Sequence, residues 1–153
     1  MKMSLIQWDN GIIEFEAVGP LVGKGRPKFT TQCGYAKAYT PAKTRNYENM
    51  IKKSYLSRSR YKSHKSLRIT VTAYAEPSKS KTKKFKEAAF AEEFDPTTKP
   101  DIDNILKCVL DALNDVAYED DRQVTEICAK KVYGHISRLV IRIEEIGECS
   151  PAG

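Results

Sequence analysis

The 153-residue sequence predicts an α+β fold in a single domain, 1–153: a small mixed β-sheet packed with two or three helices. Three observations carry the prediction. Apolar residues alternate with polar ones over 12–18 and 66–76, and two more strand-like runs follow residue 122. Between them, residues 102–117 set Ile102, Ile105, Leu106, Val109, Leu110, Leu113 and Val116 within a 140° arc of a helical wheel. The resulting order, β, α, β, (α), α, β, β, is not a regular βαβ repeat.

Each element follows from its residues. "IIEFEAV" (12–18) reads as a half-buried first strand. "GPLVGKGRPKFTTQCGYAKAY" (19–39), rich in glycine, cations and aromatics, reads as a loop or an irregular hairpin. Thr40-Pro41 supplies a helix start, threonine as N-cap and proline at the first helical position. The helix runs over about 42–61, with an apolar stripe of Tyr47, Ile51, Tyr55 and Met50. In "SLRITVTAYAE", Leu67, Ile69, Val71 and Ala73 form one face of a strand. Residues 77–99 form an insert that opens basic and turns acidic, with flexible ends and a short helix near 81–93. "QVTEICAKKVYG" and "SRLVIRIEEI" read as two strands joined antiparallel at Gly134-His135, and 147–153 as a frayed tail.

Composition excludes several classes. Apolar runs are too short for a membrane span, and "MKMSLIQWDN" lacks the apolar stretch of a secretory signal, so a cytoplasmic protein with no membrane partner is expected. Cys33, Cys108, Cys128 and Cys149 form no zinc pattern and no disulfide framework. Charge is sharply divided. Residues 19–86 carry 18 Lys and Arg against Glu48 and Glu76, or +16, while 92–121 carry ten acids against Lys99 and Lys107, or −8. A polyanion held by the basic part accounts for this division, as does a solvated surface neutralised by the acidic half.

The acids concentrate in "KPDIDNILK" (99–107) and "YEDDRQV" (118–124). On the wheel Asp103, Lys107, Asp111 and Asp115 lie opposite the apolar arc. Two readings compete. Asp101 could cap the helix and Asp103–Lys107–Asp111 could be an i,i+4 ladder. Alternatively the carboxylates hold a hard cation such as Mg²⁺, which needs no histidine or cysteine. Asp120 and Asp121 favour the second, because acids just past a helix C-terminus gain nothing from its dipole. A basic surface beside carboxylate-held metal suits phosphodiester hydrolysis.

"KPDIDNILKCVLDALNDVAYEDDRQV" resembles the signature block of the RusA family of Holliday junction resolvases, and "GKGRPKF…AYTPAKTRNYE" resembles the basic N-terminal part of phage-type members. The resemblance implies a RusA-like, homodimeric endodeoxyribonuclease of a bacterium or prophage that nicks branched DNA, the four-way junction, symmetrically with one or two Mg²⁺ per site. It implies Asp101, Asp103, Lys107 and Asp121 as catalytic residues, with Asp101, Asp103, Asp120 and Asp121 at the metal. Lys24, Arg26, Lys28, Arg45 and Lys52 are the candidate phosphate contacts, and Phe29, Tyr35 and Tyr39 are either base wedges or core. A non-catalytic nucleic-acid-binding module and a general flap or single-strand nuclease are the rival functions.

A helix continuous over 102–117 would set Asp103 and Asp120 on the order of 20 Å apart, too far for one metal site. Either 114–119 leaves the helix early and runs back, or a two-fold axis brings Asp121 of one chain to Asp101 and Asp103 of another. Val116, continuing the apolar stripe, tilts the expectation towards the shared site.

Overall fold

A computed structural model of the chain describes residues 8–23, 28–32, 34–39 and 41–151. Its main sheet contains β1 (Ile12–Val18), β4 (Ser66–Ala75), β5 (Val124–Tyr133) and β6 (Arg138–Gly147), in the spatial order β1-β6-β4-β5. A separate hairpin pairs β2 (Lys28–Gln32) with β3 (Tyr35–Tyr39), the irregular-hairpin alternative for the glycine-rich stretch. The helices are α1 (Ala42–Leu56), α2 (Lys83–Phe90) and α3 (Ile102–Leu113). The α+β class and the mixed sheet follow the sequence-based expectation. No helix among the described residues is long and apolar enough to cross a membrane.

Strand pleating explains where the core sits. Paired residues share a face, so Ile13, Ile143 and Ile69 form one row across β1, β6 and β4. Phe15–Ile141–Val71 and Ala17–Leu139–Ala73 form two more, and all nine are buried. Against these rows pack Tyr47, Ile51 and Tyr55 of α1 and Ile105, Val109 and Leu113 of α3. Trp8 closes the layer, its Nε1 donating to the Tyr55 hydroxyl at 3.0 Å. The opposite face is polar: Arg68 pairs with Glu126 and Glu144, and Arg138 with Glu16.

Three expectations are corrected. First, β5 and β6 do not form a hairpin: β4 lies between them, parallel to β5 and antiparallel to β6. The face of β4 that carries Leu67, Ile69, Val71 and Ala73 is at most 2% exposed, which requires neighbours on both sides. The connection crosses the end of β4, where the Gly134 N–H donates to the Ala75 carbonyl at 3.0 Å. A Cβ on Gly134 would stand 2.9 Å from the Tyr74 ring, so only glycine lets the chain pass. Second, α1 ends at Leu56 rather than 61, since Arg58 and Ser59 turn back to the Tyr55 carbonyl. This lets Tyr61 meet the Trp8 ring edge-on. Pro41 occupies the N-cap position, and Thr40 lies outside the described residues. Third, α3 ends at Leu113 rather than 117. Asn114 is extended and Asp115 has φ of 59°, a left-handed residue that ends the helix. Val116 and Ala117 both donate to the Leu113 carbonyl in the turn that follows. Ala117 and Tyr118 are fully buried after it, so the apolar pattern continues without the helix.

Candidate active site

Asp101 and Asp103 stand at the opening of α3, both exposed, with Lys107 one turn on along the same face. Asp101 occupies the N-cap position, yet its side chain makes no capping hydrogen bond; only its carbonyl is engaged, by Ile105 N–H at 3.1 Å. Among the described residues Lys107 forms no ion pair, so the Asp103–Lys107–Asp111 ladder is not built. Among the described residues the capping and pairing roles open to Asp101 and Lys107 are therefore unused, while Asp103 lies in the first turn, where the helix dipole favours an acid.

Gly23, just ahead of the basic stretch in sequence, lies at this point. A Cβ there would lie 3.0 Å from the Cβ atoms of both Pro100 and Asn104, so the chain passes flush against the start of α3. Lys24 and Arg26, which follow it, lie outside the described residues; Lys28 opens β2, with only its backbone described. Arg45 and Lys52 are exposed on α1. Phe29, Tyr35 and Tyr39 lie on the hairpin with their side chains outside the description, so wedge and core remain alternatives.

The second acid pair sits beyond the other end of α3. Residues 114–120 loop back, and Asp121 to Gln123 form a single 3-10 turn before β5. Asp120 caps this turn, accepting from the Arg122 N–H at 2.9 Å. Gln123 closes the box: its Oε1 accepts from the N–H of Glu119 (2.8 Å) and Asp120 (3.1 Å). Its Nε2 donates to the carbonyls of Ser63 (3.0 Å) and Lys65 (2.9 Å). The Asn114 Oδ1 accepts from the Asp121 N–H at 3.0 Å, and the Tyr118 hydroxyl donates to the Leu110 carbonyl at 2.7 Å. The aspartate pair is thus fastened to α3 on one side and to the loop before β4 on the other. Beside it opens a cleft of about 660 Å³ lined by His64, Glu119, Asp120, Arg122 and Cys149, where His64 Nδ1 meets Glu119 Oε1 at 3.1 Å.

Electrostatically the turn is overcharged. Desolvation raises the Asp121 carboxyl above the ordinary carboxylate value, helped by the neighbouring carboxylates of Asp120 and Asp111. Asp120 is lowered, chiefly by the Arg122 backbone N–H. The Tyr118 hydroxyl is driven far up by burial and then by Asp121, Asp111 and Asp120. Three carboxylates therefore press on one another at the C-terminal end of α3. Carboxylates, without histidine or cysteine, are the donors a hard divalent cation takes.

The structure brings Asp120 and Asp121 towards Asp111, and does not bring them to Asp101 and Asp103. Among the described residues no three His, Cys, Asp or Glu side chains lie close enough to hold one metal ion. The sequence reading named the acids but passed over Gln123, Asn114, the Ser63–Lys65 loop and Gly23. Gln123 was accessible as the fourth residue of an Asp-x-x-Gln capping box; the rest are tertiary partners with no local signature.

The family model "Endodeoxyribonuclease RusA" matches residues 19–144, which takes in the basic stretch, both acid pairs and the whole crossover from β4 to β5. A protein of Bacillus subtilis (strain 168), the uncharacterized protein YqaN, is 33% identical over 137 residues, covering 88% of this chain and 96% of that one. The chain belongs to the RusA family of endodeoxyribonucleases, hydrolases that cut the DNA of Holliday junctions.

Proposed function

We propose that this protein is a Mg²⁺-dependent resolvase acting as a homodimer in the bacterial cytoplasm, from a host or prophage gene, and that it cuts four-way junctions by paired symmetric nicks. The observation that carries the reading is the shared exposure of Asp101, Asp103 and Lys107 at the opening of α3, where among the described residues no side-chain cap or ion pair engages them.

Asp101 and Asp103, with Asp121 and Asp120, would hold the cation. When bound, Mg²⁺ polarises a phosphoryl oxygen and lowers the pKa of a water. The residues do the rest. The carboxylates would orient the attacking water by accepting its hydrogen bonds. Lys107 meets charge as it develops on the phosphorus oxygens. Water oxygen bonds to phosphorus as the P–O3′ bond breaks, leaving a 5′-phosphate and a 3′-hydroxyl that a ligase could seal. Lys24, Arg26, Lys28, Arg45 and Lys52 are proposed to grip the backbone; Gly23, which immediately precedes the first of them in sequence, lies against Pro100 and Asn104.

A site shared between two copies is supported by distance. Eight residues of helix separate Asp103 from Asp111, a rise of about 12 Å, and Asp121 stands at the Asp111 end. Metal–oxygen bonds are about 2–2.6 Å, so Asp103 and Asp121 of one chain do not meet on one ion. The sheet supports a partner too. Ile127 of the edge strand β5 extends the Ile13–Ile143–Ile69 row but is 46% exposed, while the other three members of the row are buried.

The test is a strand-labelled synthetic junction with and without Mg²⁺, using the native chain and Asp103→Asn. Paired nicks that need the metal are expected, with Asp103→Asn losing at least about 100-fold in rate, the scale of removing one preorganised charge-stabilising group. Junction binding by Asp103→Asn should be intact or tighter, since a carboxylate facing phosphate is gone. Binding without cleavage under any divalent ion would make the protein a binding module. Equal cutting of linear duplex, flap and junction would make it a general nuclease.

A further inference from the structure

The insert between β4 and α3 carries Lys79, Lys81, Lys83, Lys84 and Lys86 within eight residues, with no acid among them. Lys79, Lys81, Lys83 and Lys84 are exposed, and none of the five forms an ion pair among the described residues. Their placement opposes helix stability. Lys83 and Lys84 occupy the first turn of α2, which has no acid there, and its last turn has no cation. Both arrangements run against the helix dipole, so local folding does not explain the charges.

The insert is nevertheless firmly seated. Thr82 caps α2 by accepting from the Phe85 N–H at 3.1 Å. The Phe85 and Phe94 rings pack together at 4.9 Å and both meet Tyr133 edge-on, while Phe90 stacks on His135 at 3.8 Å. Lys131 Nζ donates to the Thr98 carbonyl at 2.6 Å, tying the end of the insert to β5 just before α3 begins. Seven residues run from Phe94 to Asp101, a reach of at most about 25 Å. That is under one turn of duplex DNA, about 34 Å. Phe85, between Lys84 and Lys86, packs its ring 4.9 Å from that of Phe94, so a duplex presenting a phosphate to Asp101 and Asp103 has backbone on the order of one turn away, within range of the first turn of α2.

We propose that α2 and the loop before it form a docking surface for a duplex arm of the substrate, with these lysines following its phosphates. This surface is separate in sequence from the basic stretch that follows Gly23, and it rests on the reading of the protein as a DNA enzyme. The aromatic anchor holds the lysines in place instead of letting them trail as a tail, so less is lost in ordering them on binding.

The experiment measures binding alone, in the uncleaving Asp103→Asn protein without divalent ions, so it stands apart from whether the native chain cuts. Fluorescence anisotropy with a labelled four-way junction and a labelled linear duplex gives log Kd against log salt concentration. Changing Lys79, Lys83 and Lys84 together to Gln should flatten the slope by about 2 to 3, at roughly 0.9 per lost phosphate contact, for both DNAs. The same three positions changed to Arg should keep it. Removing equal charge from Lys53, Arg58 and Arg60 on and after α1 should change it by less than about 1. An unchanged slope in the Gln variant, with native circular dichroism, would overturn the proposal. So would an equal change in the α1 variant, which would mean that net charge alone is felt.

Discussion

Asp121, proposed as a metal ligand, carries a carboxyl that the folded chain holds at a disadvantage when ionised. Its carboxyl titrates above the ordinary value because it is desolvated beside Asp120 and Asp111, so the folded chain holds that proton more tightly than the unfolded chain does. The contribution therefore favours folding below the ordinary carboxylate pKa and is lost as pH rises through the raised one. At pH 7 the ionised group is a burden. Asp121→Asn should stabilise the protein at pH 7, by less than about 1 kcal/mol given its exposure, and lose that advantage near pH 4. Urea unfolding at the two pH values measures it; destabilisation at pH 7 would mean that Asp121 holds the turn through its carboxylate. Asp120 runs the other way: lowered by the Arg122 N–H, its contribution is present above the ordinary pKa and fades as pH falls. Both aspartates were legible in the sequence as a pair. Their opposite roles were not, since one caps a 3-10 turn that exists only because α3 stops early.

Among the elements, the turn that follows α3 depends on a single side chain. Gln123 uses both functional ends, two N–H groups on its oxygen and two carbonyls on its nitrogen, to tie 119–120 to 63–65. Replacing it with Ala leaves four partly buried backbone groups to find water, at a cost of roughly 1–3 kcal/mol. Cleavage should fall with it as Asp121 loses its footing, while DNA binding through the lysines persists. Thermal unfolding and nicking rate, measured on one preparation, test this; a stable but inactive variant, or the reverse, would separate the two roles. Helix existence was legible here, because the amphipathic arc of 102–113 is strong, and so were β1 and β4, whose alternation is strict. The end of α3 was not, because Val116, Ala117 and Tyr118 stay apolar in a turn as readily as in a helix. Nor was the order of β5 and β6: sequence neighbours usually pair, and only the burial of β4 on both flanks decides otherwise.

At the scale of the whole molecule, the open question is how many chains make one site. Early termination of α3 removes the continuous helix on which the expectation of a shared site leaned, yet the returning chain goes to Asp111 and not to Asp103. The distance argument thus survives with a different premise: the two pairs flank α3 from opposite ends. A four-way junction is itself close to two-fold symmetric, so a dimer whose paired sites each draw Asp101 and Asp103 from one chain and Asp121 from the other would match its substrate. Subunit mixing decides it. An Asp103→Asn chain and an Asp121→Asn chain, each inactive alone, are refolded together, and the heterodimer is isolated by a tag on each chain. With shared sites, one site collects both lesions and the other is intact. The heterodimer should then nick one strand of a labelled junction without making the paired cut, and the nicking should need Mg²⁺. With sites built within one chain, each carries a lesion and nothing is cut. A verified heterodimer that fails to nick would therefore rule out sharing. It would require the Asp120–Asp121 turn to move towards the opening of α3 when DNA and metal bind.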